Sequence, residues 1–447
     1  MNANQIFTAI VLAFSLAVFA PAQETERLSM TVQEAVNYAL AGSYQLKSDA
    51  IDAKIKKRSS DYAKNVFLPS VSVSAGVIRS NELGSEVVNM MDQTGSKARE
   101  GDKWMYSVPG INVSWAFNMS MLENIKIAHA EYEAQLITSE ELKKQTELNV
   151  RKKFYALLVA QESLSLQEAS LENAKDRAEQ AQKNFQNGRI SQLTLLQAQV
   201  AYSNQKPQVL SARQAIELDL DDFAFLLGLK AGTKIQVDGS MEVAYQEIDA
   251  DNLLAKQINS RLDYQLLLKN KEALGLQKKA LGMQSFLPTL QVDWNLQPVR
   301  SFSNKQWYAD AAKGENGSLS VALVWSLSNL LPSSESRQRM QDATDNLDKL
   351  QIEIDALTEQ AKNEVTSLSR TLALSRSQIT ALEANIELAQ NAYDMILRSY
   401  QSGASELLDV RDAENSLNQA KYGLLSEQFA YLSALLDLEY ALGVGLP

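Results

Sequence analysis

The chain has 447 residues, with 43 Lys and Arg against 54 Asp and Glu, for a formal net charge of −11. That acidic balance lacks the basic footprint of a nucleic-acid binder, and the absence of Cys excludes disulfides, thiolate metal sites, cysteine nucleophiles and lipidation through cysteine. With His129 as the single histidine, no site needing two can be built, which leaves a non-catalytic protein or an enzyme working through carboxylates and hydroxyls.

The chain opens with one apolar run from Ile6 to Ala20, followed by Ala20-Pro21-Ala22, a small-x-small cleavage pattern. A run of about 15 residues is short for a membrane span and suits a signal-peptide core. Residues 1–22 therefore read as a signal peptide and the mature protein as exported. Residues 2–5 carry no Lys or Arg, so an N-terminal helix anchor is the alternative. No other stretch approaches 18 consecutive apolar residues, so further membrane contact cannot be helical.

Thr31-x-x-Glu34 is a capping box and starts a helix. After it, Val71, Val73, Ala75 and Val77 alternate with small or polar residues, as do Ile111, Val113, Trp115 and Phe117. That period of two predicts strands. A polar loop from about Ser80 to Tyr106, holding Trp104, joins them. A helix from about Met119 to Gln186 follows, on the order of 100 Å long at 1.5 Å per residue. It carries a heptad-like series at Leu157, Leu164, Leu171, Ala174, Ala178, Ala181 and Phe185. Its partner helix contains Pro207, which either kinks or breaks it.

Past a linker at 230–250, the plan restarts with a helix near Asp251. Strands follow at Leu290–Leu296 and Leu319–Leu327, with a polar loop around Ser301–Gly317 holding Trp307. Asp293 falls on the polar phase of its strand, which places it on the water side. A heptad seam then runs from Leu347 through Ile354, Ala361, Leu368, Ser375, Leu382 and Ala389 to Tyr400.

The two halves, 23–229 and 251–447, are copies of one plan. Phe67-Leu68-Pro69 returns 219 residues later as Phe286-Leu287-Pro288. Phe185-Gln186-Asn187-Gly188 returns 215 residues later as Tyr400-Gln401-Ser402-Gly403, and Leu227-Gly228 returns at the same spacing as Leu442-Gly443. Each half is thus a helix, two strands and a long helical hairpin, with tips near 186–190 and 401–405. The fold class is mainly α, with long antiparallel coiled-coil helices and a small membrane sheet.

Four strands cannot close a membrane barrel, whose smallest natural examples have about eight, and an open sheet in lipid leaves backbone groups unpaired. Other copies of the chain must meet the edges. Two, three and four copies all remain possible from this arithmetic. The charged helices must lie in water, which points to the bacterial outer membrane with the helices in the periplasm.

The opening Leu28-Ser29-Met30-Thr31-Val32-Gln33-Glu34-Ala35-Val36, the paired Leu-Pro strand starts and Tyr400-x-x-Gly403-x-x-x-Leu407-Leu408-Asp409-Val410-x-Asp412-Ala413 resemble a TolC-family outer-membrane efflux channel over nearly the whole mature chain. The resemblance implies a homotrimer with a twelve-strand β-barrel and a twelve-helix α-barrel. It also implies docking to a periplasmic adaptor and an inner-membrane transporter, with no cofactor and no enzymatic activity. By position, it makes Asn187, Gly188, Arg189 and Ile190 one adaptor-docking tip, and Ser402, Gly403, Ala404 and Ser405 the other. It makes Asp409 and Asp412 an acidic ring at the periplasmic entrance, with Tyr400 and Thr194 beside it. Ser405 replaces an arginine, and Thr194 stands where Asp409 stands in the second half. Type I protein secretion is an alternative duty for such a duct. A periplasmic coiled-coil scaffold explains the heptads but not the strands, and a carboxylate hydrolase lacks any convincing site.

Overall fold

The computed structural model describes residues 28–79, 104–241, 245, 257–296, 299–302, 312–314 and 317–443. The expected signal peptide, most of both polar loops and Trp307 lie outside the described residues. In chain order the elements are β1 (Leu28–Met30), α1 (Val32–Gly42), α2 (Tyr44–Tyr62), β2 (Ser70–Arg79), β3 (Trp104–Phe117), α3 (Ser120–Gln186) and α4 (Gln192–Leu226). Then come β4 (Ile235–Val237), α5 (Leu262–Phe286), β5 (Thr289–Leu296), β6 (Val299–Phe302), β7 (Ala312–Gly314), β8 (Gly317–Val324), α6 (Glu335–Gln401) and α7 (Leu407–Leu442). They form two compact units, each assembled from separate stretches of chain. One takes Ala50–Ser139 and Leu262–Thr358; the other takes Met1–Asp49, Glu140–Arg261 and Glu359–Pro447.

In the first unit the strands lie in the order β2-β3-β5-β8, every neighbouring pair antiparallel. β6 and β7 pair in the same register as β5 and β8, so they prolong those two strands. Rows across the sheet keep one character. Ser70, Ser114, Asp293 and Ser320 stand in one register row, and Val71, Val113, Trp294 and Leu319 in the next. Alternation with period two therefore gives the sheet one polar and one apolar face. Each indole finds a partner where its half of the chain begins its strand: Trp115 donates to the Phe67 carbonyl at 2.9 Å and Trp325 to the Phe286 carbonyl at 3.1 Å.

The helices of this unit follow the strands because each continues one. Lys56 pairs with Glu131 between α2 and α3. Lys279 pairs with Glu123 and Lys269 with Glu133 between α3 and α5. Lys271 reaches Gln351 between α5 and α6. Asn118 makes the turn from β3 into α3, accepting from the Ser120 amide at 2.9 Å and donating to Thr289 Oγ1 at 3.0 Å.

In the second unit β1 and β4 pair in parallel, Met30 opposite Val237. The core under them joins Val36, Phe154, Leu157, Phe223 and Leu227. Thr31 caps α1 in a full capping box with Glu34. A second core runs along α6 and α7, where Ala361, Val365, Leu372 and Ile379 meet Tyr431, Ala434, Leu438 and Leu442.

Two expectations change. Trp104 begins β3, opposite Arg79 and Phe302, rather than sitting in the loop, because β2 and the β5–β6 run are long enough to pair with it. Residues 251–256, where a helix near Asp251 is expected to start, lie outside the described residues; Gln257 is helical, and α5 begins separately at Leu262. Ile258–Ser260 form a 3-10 turn, and Arg261 after it is extended, its guanidinium held by Glu364 and the Ala441 carbonyl at 3.0 Å each. Pro207 does not break α4, which runs through it from Gln192 to Leu226.

Candidate functional site at the hairpin tips

Both hairpins end in the same hydrogen-bonded turn. The Asn187, Gly188 and Arg189 amides donate to the carbonyls of Lys183, Phe185 and Asn184 at 3.1, 2.9 and 2.8 Å. The Ser402, Gly403 and Ala404 amides donate to Arg398, Tyr400 and Ser399 at 3.1, 3.0 and 2.9 Å. Gly188 and Gly403 have φ of 71° and 83°, the left-handed conformation that closes a helix where a Cβ would be strained. Nothing lies within 4 Å of a Cβ built on either, so φ alone demands glycine there.

The returning helices start at matched positions with different chemistry. Ser191 caps α4, its hydroxyl accepting from the Thr194 amide at 3.2 Å. Glu406 caps α7 in a reciprocal box, and its amide donates to the Asp409 carboxylate at 3.0 Å. Asp409 therefore serves its own helix whatever else it does. Asp409 and Asp412 are both exposed, one turn apart on α7. Asp412 lies 3.5 Å from Arg411, itself exposed. Tyr400 and Thr194 are half-buried, and Asn187 and Arg189 are exposed. Ile190 packs with Leu407 onto Ala181, Leu195 and Ala198. At the matching place Ser405 instead donates its hydroxyl to Ser399 Oγ at 2.7 Å. The two tips thus touch through an apolar cluster, while acidic groups stand on the second tip alone.

The sequence reading did not find the buried charge behind the tips. Arg177 on α3 pairs with Glu414 on α7, their side chains 14% and 5% exposed. Asn173 donates to the other carboxylate oxygen at 3.4 Å. Tyr393 completes the cluster: burial raises its hydroxyl above the ordinary value and the nearby Glu414 charge adds to that, while Arg177 opposes it. No sequence spacing signals a pair 237 residues apart, although Glu414 does fall on the same face as the buried Val410 and Leu417. Beside it lies a groove of about 630 Å3, lined by Leu193, Leu196 and Val200 of α4 and by Leu407, Leu408 and Arg411 of α7.

Chemically the tips hold backbone turns, a few exposed charges and a groove of mixed lining, in which Gln197, Asn204 and Arg411 stand among the leucines. Comparison with known proteins identifies the family. The outer membrane efflux protein family matches residues 35–229 and 281–444, one stretch in each repeat. The outer membrane protein TolC of Salmonella enteritidis is 22% identical over 446 residues, covering 97% of this chain and 85% of its own. The fold is shared with solved channels. The CmeC outer membrane channel of Campylobacter jejuni superposes with a TM-score of 0.75 at 17% identity, over 92% of this chain and 85% of its own. VceC of Vibrio cholerae does so with 0.71 at 17%, over 93% and 97%. The chain belongs to the TolC-like outer membrane efflux protein family and is an outer-membrane efflux channel, a transporter and not an enzyme.

Proposed function

We propose that three copies of the chain form a continuous duct, the strands closing a twelve-strand barrel in the outer membrane and the helices extending it through the periplasm. One observation carries this reading: among the described residues the sheet is open at both edges, and its outer strands are apolar and bare. Val71 and Val73 on β2 are 65% and 68% exposed, and Leu319 and Leu323 on β8 are 68% and 69%, against 37% for Ile111 and 40% for Trp294 inside the sheet. Unpaired edges of this kind are not tolerated in lipid. Sister copies satisfy both at once.

The duct is passive. An inner-membrane transporter supplies the energy, and a periplasmic adaptor grips the tips at Asn187–Ile190 and Ser402–Ser405. Asp409 and Asp412, repeated three times around the axis, make rings of carboxylate at the entrance that favour cations. The cargo is a small toxic molecule or drug or, in the secretion alternative, a protein.

Conductance across planar bilayers tests the rings. Asp409→Asn with Asp412→Asn should reduce cation selectivity and change single-channel conductance. Unchanged selectivity would remove both residues from the entrance. Asn at 409 keeps an acceptor for the Glu406 amide, so the helix start survives the change. A bulky β-branched residue at Gly188 or Gly403 should weaken adaptor crosslinking, and undiminished crosslinking by a folded variant would count against tip docking.

A further inference from the structure

We infer that the internal duplication fixes how neighbouring copies pair: β8 of one copy meets β2 of the next with Leu323 opposite Ala75, and with Trp325, one residue past the end of β8, opposite Val73. This rests on the oligomeric reading above and adds the register, which that reading leaves open.

The sheet contains its own template. β3, the second strand of the first repeat, pairs with β5, the first strand of the second. At the open edges the same two roles fall to β8 and to β2 of a sister copy. The equivalences are read from the structure. Phe67-Leu68-Pro69 corresponds to Phe286-Leu287-Pro288, so β2 maps onto β5. The indole bonds to the Phe67 and Phe286 carbonyls make Trp115 and Trp325 equivalent, so β3 maps onto β8. Strand pairing repeats this: Ser70 opposes Ser114, and their counterparts Thr289 and Val324 oppose each other. Within the chain Trp115 opposes Val292 and Val113 opposes Trp294. Transferred to the edges, those pairs become Trp325 with Val73 and Leu323 with Ala75.

Two independent features agree. First, this register keeps apolar beside apolar, whereas a slip of one residue sets Trp325 beside Ser72 or Ser74. Second, the helices below the edges carry complementary charge. Residues 50–64, on α2 and the turn after it, hold five basic side chains against two acidic ones; residues 335–358 of α6 hold six acidic against three basic. The internal seam has the same polarity, with Lys279 and Lys269 of α5 on Glu123 and Glu133 of α3. Mapped through the repeats, that seam brings exposed Asp342 and Asp345 to the level of exposed Lys57, Arg58 and Lys54 in the neighbouring copy.

The cysteine-free chain suits disulfide mapping. Bridging requires Cβ atoms about 3.5–4.5 Å apart, so a pair displaced by two residues is out of reach. The double variants Ala75→Cys/Leu323→Cys and Val73→Cys/Trp325→Cys, oxidised in outer-membrane fractions, should each give a ladder ending in a covalent trimer on non-reducing gels. The displaced pair Ala75→Cys/Val321→Cys should stay monomeric on the same gels. Native mass of the reduced variants is measured in parallel. Trimers that crosslink only through the displaced pair, or through no pair, would overturn the register. A monomeric native mass for the unmodified protein would instead overturn the oligomeric reading beneath it.

Discussion

Glu123 shows how much one carboxylate does at the foot of the strands. Its side chain is buried, and Lys279 and Lys126 both donate to its Oε1. The hydrogen bond from Lys279 holds its carboxyl below the ordinary value of 4.5, with burial opposing. A depressed folded-state pKa stabilises the protein above that value, and the contribution fades as pH falls through the folded pKa. Glu123→Gln should therefore lower the melting temperature at pH 7, and the gap to the unmodified protein should narrow below about pH 4.5. A gap constant with pH would show that packing, not charge, is what the carboxylate supplies. The Arg177–Glu414 pair is a sharper case, since stranding a buried charge costs about 3–5 kcal/mol. Arg177→Met alone should destabilise strongly, and Arg177→Met with Glu414→Leu should recover most of the loss. If the double variant is as unstable as the single one, the pair is not what the cluster depends on. Such residues were hard to read from the sequence because a charge's partner is set by packing, not by spacing. The tip glycines were legible because a left-handed turn between two long helices has few other solutions.

At the level of elements, periodicity carried the long pieces and failed on the short ones. Of the expected seam on α6, Ile354, Ala361 and Ser375 are buried, and Leu347, Leu368, Leu382 and Ala389 are half-buried. In the first half Leu157, Ala174 and Ala181 are buried, while Phe185 at the tip is exposed, where the hairpin has no further turn to cover it. β1 and β4, three residues each, are too brief to show a period of two, and their partners lie two hundred residues apart. Pro207 was legible as a local fault but not as a tolerated one. It sits exposed in the interior of α4, where proline removes one backbone bond and crowds the preceding turn. Pro207→Ala should raise stability by about 1–3 kcal/mol, read as a higher melting temperature. No gain would mean that the helix already bends to accommodate the ring. Lost export by a stabilised variant would give that bend a part in gating.

For the whole molecule, the compact units cut across the sequence repeats: each gathers stretches from both copies of the duplicated plan. The duplication was plain in the sequence, because Leu-Pro starts and aromatic-x-x-Gly tips return in order. The interleaving was not, since it arises only when each helix continues a strand and inherits that strand's neighbours. In the proposed assembly the same logic leaves one repeat boundary at each edge of the sheet for a sister copy to meet. The most direct test is the detergent-corrected mass, by light scattering, of protein extracted from outer membranes. Three chains per particle are expected. A stable single chain, with β2 and β8 exchanging their edge amides freely, would contradict it.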